Sequence, residues 1–208
     1  MTTKSIRASS RKDAHIDLAL DPETNSEGTN SFDRMRFTHC ALPELDIAAI
    51  DLTTSFCGRR LSAPMMIGAM TGGTARAEAI NRALATVAQE KKIAFAVGSQ
   101  RAALENGQSA AYLRDLAPDI PIIGNLGGIQ LARSNGLDLA KAAIDDLQAD
   151  AIAIHLNPLQ ETVQPEGEND WRGVRDAIAK LVRTDTAPVI VKEVGAGISI
   201  QVAKELFD

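Results

Sequence analysis

The sequence predicts an α/β protein built as a (β/α)8 TIM barrel truncated after the fifth strand, and three observations predict it. Five short apolar runs rich in Ile, Val, Ala or Met alternate with segments of helical spacing. Successive runs begin roughly 30 residues apart, the spacing obtained when about 250 residues are divided among eight βα units. Each run also ends in polar or glycine-bearing residues, MTGG, GSQR, GNLGG, HLNPLQE and VKEVGAG. Barrels of this class build their sites from strand C-terminal ends and the loops that follow.

The elements follow in order. Residues 1–62 are rich in Asp, Thr, Asn and Ser and are expected to form an irregular arm, with a short hairpin near LPELDIAAIDLTTSFCGRRL. Residues 63–208 are expected to form the partial barrel. Its strands are read at APMMIGAM, IAFAVGS, IPIIGNL, DAIAIHLN and APVIVKEVG, as buried parallel strands. The helices between them are read at ARAEAINRALATVAQEK, SAAYLRDLA, GLDLAKAAIDDLQ and WRGVRDAIAKLV. An open dinucleotide-binding sheet would want GxGxxG after its first strand, and MTGGTA does not supply it. The last residues, AGISIQVAKELFD, read as the start of a further helix without a cap. Five strands do not close an eight-stranded barrel, so exposed edges and self-association are expected.

Composition narrows the function. With 208 residues and 45% hydrophobic content, one sizeable core is expected. A formal net charge of -5 argues against a nonspecific nucleic-acid binder, because affinity for phosphate backbones needs basic surface. Cys40 and Cys57 fit neither a disulfide framework nor a zinc spacing and read as core thiols. No apolar stretch is long enough to span a bilayer, and MTTKSIRASSRKDAH lacks the apolar centre of a secretory signal, so a cytoplasmic location with no membrane contact is expected.

The strand ends carry the chemistry. Ala69, Met70 and Thr71 end the first strand, and Gly72 and Gly73 either let a ligand approach the backbone or simply make a tight turn. Ser99 and Arg101 end the second, where Arg is either solvated or a phosphate grip. Asn125 on the third can serve a heterocycle edge or a structural turn. Lys192 ends the fifth; a lysine after a buried strand needs a partner, either Glu193 or an inward-facing anion or ring. His155 and Asn157 share one face of the fourth strand end, with Gln160 and Glu161 on the loop after Pro158. A carboxylate beside neutral amides suits Mg2+ shared with a phosphorylated ligand, against a plain polar loop. Glu166, Glu168 and Asp170 read as a solvated charge run. Arg11, Lys12 and His15, in RKDAH, read by themselves as a flexible basic patch. Together with Arg101, His155 and Lys192, these cations could gather a compact polyanion.

The set RKDAH, AMTGGTA, GSQR, GNLGG, HLNPLQETVQPEGE and VKEVGAGIS, in that order, closely resembles type II isopentenyl-diphosphate delta-isomerase, over nearly all of the chain. The resemblance implies an FMN-dependent (β/α)8 enzyme of isoprenoid biosynthesis that interconverts isopentenyl diphosphate and dimethylallyl diphosphate. It implies reduced FMN as the active cofactor, Mg2+ on the diphosphate, NADPH only as reductant, and a homo-oligomer, tetramer or octamer. By that analogy Ala69, Met70, Thr71, Ser99, Asn125 and Lys192 contact FMN. Arg11, Lys12, His15, Arg101, Asn157 and Gln160 contact substrate, Gln160 and His155 serve catalysis, and Glu161 holds the metal. The family continues through three more βα units that grip the FMN phosphate, and these residues lack them. Two alternatives stand beside this reading: another FMN barrel of the hydroxy-acid oxidase or IMP-dehydrogenase-like class, and a truncated, non-catalytic fragment that only self-associates.

Overall fold

A run without Gly or Pro, rich in Ala, Lys, Arg and Leu, makes helix α1 (Thr3–Leu20), where the sequence suggested irregular chain. The computed structural model describes the backbone of residues 3–24 and 31–207, with side chains at 12–23 and 32–207. Helix α1 is tied to the barrel rather than left as a loose basic patch. Thr74 Oγ1 donates to Asp13 at 2.8 Å, and Arg76 pairs with Asp17 at 2.5 Å. Burial of Ile16 between these tethers fixes the helix face that meets the barrel.

Residues 35–53 run largely exposed, with one short 3-10 turn at Ile47–Ala49 capped by the Asp46 side chain. Cys40 lies in this exposed stretch and is an exposed thiol rather than a core one. The expected hairpin follows: β1 (Thr54–Phe56) pairs antiparallel with β2 (Arg59–Leu61). Its two turn residues, Cys57 and Gly58, have φ of 47° and 75°, the positive values that two-residue hairpin turns require.

The barrel portion then runs β3 (Met66–Ile67), α2 (Ala75–Lys91), β4 (Ala94–Ala96), α3 (Arg101–Glu105), α4 (Tyr112–Leu116), β5 (Ile122–Gly127), α5 (Gly128–Leu131) and α6 (Gly136–Leu147). It continues with β6 (Ala151–Leu156), α7 (Pro158–Val163), α8 (Val174–Arg183), β7 (Val189–Glu193) and α9 (Ile200–Phe207). The sheet has five parallel strands in the order β3-β4-β5-β6-β7. Sequential parallel order with a helical crossover at each step is the barrel topology, here open at β3 and β7.

Period-two alternation sorts the strand side chains into two layers. Phe95, Val97, Ile122, Leu126, Ile152 and Ile154 pack outward against the helices. Ala96, Ile123, Ala151 and Ala153 form the inner layer, with Cys57, Ala69 and Ile190 packed on it. The hairpin turn therefore reaches the inner face from the strands' N-terminal side. A charged clamp holds it there: Asp150 accepts from Arg59 at 2.5 Å, Arg114 at 2.6 Å and the Ile122 amide at 2.9 Å. Burial works to raise the Asp150 carboxyl, but Arg59, the Ile122 amide and Arg114 outweigh it and hold the group below the usual range.

Candidate functional site

Continuing the inner layer toward the strands' C-terminal ends replaces alanine and isoleucine with polar groups. Asn125 follows Ile123, His155 follows Ala153, and Lys192 follows Ile190, each two residues along one face. The register sets His155 opposite Lys192 on one side and Gly127 on the other. Lys192 thus faces inward. Glu193 leaves by the opposite face and accepts from the Gly195 and Gly197 amides at 2.6 and 2.9 Å. Burial pulls Lys192 below the ordinary lysine range, opposed by the charge on Glu193.

His155 is the centre of the group. Its Nδ1 lies 2.9 Å from Asn125 Oδ1, and Asn125 Nδ2 donates to the Val97 carbonyl at 3.0 Å. That second bond fixes the amide orientation, so Nδ1 carries the imidazole proton and Nε2 is left as an acceptor. His155 is pushed down to about 4, chiefly by burial and then by Lys192. Arg101 and Lys12 lower it further, and Glu161 opposes them. Four charged side chains from α1, α3, α7 and β7 therefore act on one neutral imidazole. Asn125 is itself locked by Gln100, whose Oε1 accepts the Asn125 amide at 3.0 Å while Nε2 donates to Ala143 O at 2.9 Å.

The segment after β6 corrects one expectation. Gln160 and Glu161 lie on helix α7, not on a loop, because Pro158 occupies its first turn and the Asn157 carbonyl accepts the Glu161 amide at 2.9 Å. The helix turns Gln160 and Glu161 back over Asn157. Asn157, 6% exposed, donates to Glu161 Oε1 at 2.9 Å and to Gln160 Oε1 at 3.3 Å. Gln160 keeps its own amide N–H groups for other partners. Glu168 is also not part of a solvated run: it accepts from Gln130 at 2.8 Å and pairs with Arg133. Glu166 and Asp170 are exposed.

On the first strand end, Ala69 packs on the inner layer, Met70 is 78% exposed, and Thr71 is half-buried. The Thr71 carbonyl accepts from Asn81 at 3.1 Å, and a Cβ on Gly98 would overlap the Thr71 backbone. Ser99 lines a cleft of about 230 Å3 with Gly72, Gly73 and Asn81. That cleft sits between α2 and α4, beside the polar cluster rather than over it. Lys12 Nζ lies 2.8 Å from where a Cβ on Gly73 would stand, so the glycine admits the lysine at the turn. His15 is exposed one turn farther along α1, and the Arg11 side chain lies outside the described residues. Asn81, Gln100, Gly167 and Glu168 do not stand out in the sequence as site residues. Only their closeness to GSQR and HLNPLQE hinted at them.

The donor set can be tested against the groups expected. Among the described residues no cluster of three or more His, Cys, Asp and Glu could hold a metal. Glu161 offers one carboxylate with a single hydrogen bond on each oxygen, which fits Mg2+ shared with phosphates but not an all-protein cage. The small inner layer with an inward lysine at its rim fits a flat ring carrying partial negative charge.

Comparison with known proteins bears on the same residues. The chain is 50% identical over 209 residues to the isopentenyl-diphosphate delta-isomerase of Pseudescherichia vulneris, covering 99% of this chain and 60% of that one. It is 53% identical over 205 residues to the enzyme of that name from Xanthobacter autotrophicus, covering 97% and 60%. By sequence the chain is similar to isopentenyl-diphosphate delta-isomerases over the part of them that it spans. The isomerase of Nostoc is 45% identical, again with 60% of its length covered. The chain thus spans about 60% of the isomerases it matches. The profile of the FMN-dependent dehydrogenase family matches residues 13–112. A mandelate oxidase variant carrying a monooxide FMN adduct shares the fold at TM-score 0.52 and 14% identity, over 76% of this chain and 48% of that one.

Proposed function

We propose that this chain carries the substrate- and metal-facing part of an isopentenyl-diphosphate delta-isomerase. It would interconvert isopentenyl and dimethylallyl diphosphate with reduced FMN and Mg2+. The carrying observation is the convergence of Lys12, Arg101, Glu161 and Lys192 on a neutral His155 at the strand ends. The FMN-dependent family match over residues 13–112 supports the flavin. Residues 1–62 would form the substrate-binding arm and hairpin, and 63–208 the barrel portion. NADPH as reductant, a cytoplasmic location and a homo-oligomer complete the reading.

When bound, reduced FMN supplies an electron-rich ring that stabilises positive charge and exchanges protons. Ala69, Met70, Thr71, Ser99 and Asn125 would line it, and Lys192, already partly desolvated, would favour its anionic form. Arg11, Lys12, His15 and Arg101 would grip the diphosphate, Arg101 in bidentate fashion. Glu161 would hold Mg2+ shared with the diphosphate, anchoring and orienting the substrate's charged end. Asn157 holds the Gln160 carbonyl, so Gln160 would present its N–H groups to the alkenyl end or the shuttled proton. A neutral amide orients rather than titrates. His155 would line the substrate side as a neutral imidazole that adds no charge, its Nε2 free to accept from a bound water or take a proton. The isomerisation adds one proton and removes another, with no net redox.

The test is anaerobic conversion of isopentenyl diphosphate by the purified chain with Mg2+ and saturating reduced FMN. The expected result is turnover that Gln160→Ala and Glu161→Ala each reduce at least about 100-fold, the range of a lost positioning or general acid–base contribution. A folded sample with no turnover and no affinity for reduced FMN would overturn the reading for this chain.

A further inference from the structure

Glu168 has attachments to four neighbours. Its carboxylate accepts from Gln130 at 2.8 Å, pairs with Arg133, and lies 3.7 Å from Arg101. Its backbone N–H donates to Glu161 Oε2 at 2.8 Å. The residue before it is equally constrained, since a Cβ on Gly167 would overlap the Glu161 backbone carbonyl. Glycine here allows two backbone segments to touch, and that contact brings the Glu168 amide within reach of the carboxylate.

We propose that Gly167–Glu168 is a strap that positions the Glu161 carboxylate for a divalent cation shared with a bound diphosphate, with Glu168 acting as a positioning residue. The proposal rests on the metal role of Glu161 given above. A free glutamate on a short helix samples many rotamers, and fixing it costs up to about 2 kcal/mol of side-chain entropy. Two donors remove that freedom in advance: Asn157 Nδ2 on Oε1 and the Glu168 amide on Oε2. Both donors are neutral, so the carboxylate keeps its charge for the cation. The Asn157 donor is held by burial. The amide donor is held because the Glu168 side chain is pinned to α5, to Arg133 beyond it and to α3, so the strap joins three successive βα loops. Outer partners of this kind commonly change metal affinity 10- to 100-fold.

The experiment is calorimetric titration of the full 208-residue chain with inorganic diphosphate, with and without Mg2+. The quantity read is the ratio of the two affinities, which a general loosening of the loop would not alter. The wild-type ratio is expected to favour Mg2+. Gly167→Ala and Glu168→Gln should each shrink it about 10- to 100-fold. Glu161→Gln should abolish it. Should Gly167→Ala unfold, judged by circular dichroism, Glu168→Gln decides, since it keeps the backbone amide but removes the charge that Arg133 and Arg101 hold. A ratio preserved in the strap variants but lost in Glu161→Gln overturns the strap and leaves the metal site standing. A wild-type ratio near one, or one that Glu161→Gln leaves intact, overturns both.

Discussion

His155 combines a buried ring, three nearby cations and one fixed amide acceptor, and that combination has a measurable consequence. Its value falls from 6.5 to about 4, so the unfolded chain binds the proton more readily than the folded one. Stability is therefore full above about pH 6.5 and declines as the pH falls toward 4, by about 3 kcal/mol in all. Urea midpoints measured across that window should fall with pH, and His155→Asn should flatten the slope. Residue identities at this site were readable because chemistry-bearing types cluster after apolar runs, as in HLNPLQE and VKEVG. What could not be read was how each is spent. Asn125 is committed to His155 and Val97, and Glu168 to arginines 35 residues or more away in sequence, which no local spacing reveals.

Elements were legible where hydrophobic period and capping agree, as in α2, whose bounds coincide with ARAEAINRALATVAQEK and whose cap is Thr74. They were less legible where polarity masks helix propensity. Helix α1 reads as irregular in sequence because its residues are polar, yet it contains no breaker and is held by the Asp13 and Asp17 contacts. Helix α7 was hidden by its proline, which is a first-turn residue here rather than a stop. The hairpin was found, but its clamp to Asp150 spans 91 residues. Asp150→Asn should destabilise the chain by about 3 kcal/mol, because Arg114, 8% exposed, loses its anion. Arg59→Ala should cost about 1 kcal/mol, since that pair is half open to solvent. Because the carboxyl titrates below its usual range, the clamp's contribution is present above pH 4 and lost as the pH drops further. Gly98→Ala offers a separate check on the first strand end. Its Cβ must displace the Thr71 backbone, and both reduced-FMN affinity and stability should fall.

Among the described residues the five-stranded sheet has β3 and β7 as its edge strands. Helix α9 adds exposed Ile200 and Phe207 near the second edge. Exposed strand edges with adjoining apolar surface favour association. Sedimentation of the chain should give a mass above 22.1 kDa that rises with concentration, and an invariant monomer would contradict this. The strand count and parallel order were readable from the repeat of roughly 30 residues. How the open faces are covered was not, because that depends on surfaces outside the repeat. The sequential strand order also governs how the chain can assemble in time. Each strand pairs with the one made just before it, so the sheet can grow unit by unit as residues leave the ribosome at about 5–20 per second. The hairpin cannot be fastened until Asp150 has emerged, which makes its docking a late, long-range event. Loosening that clamp should therefore speed unfolding while leaving the folding rate nearly unchanged.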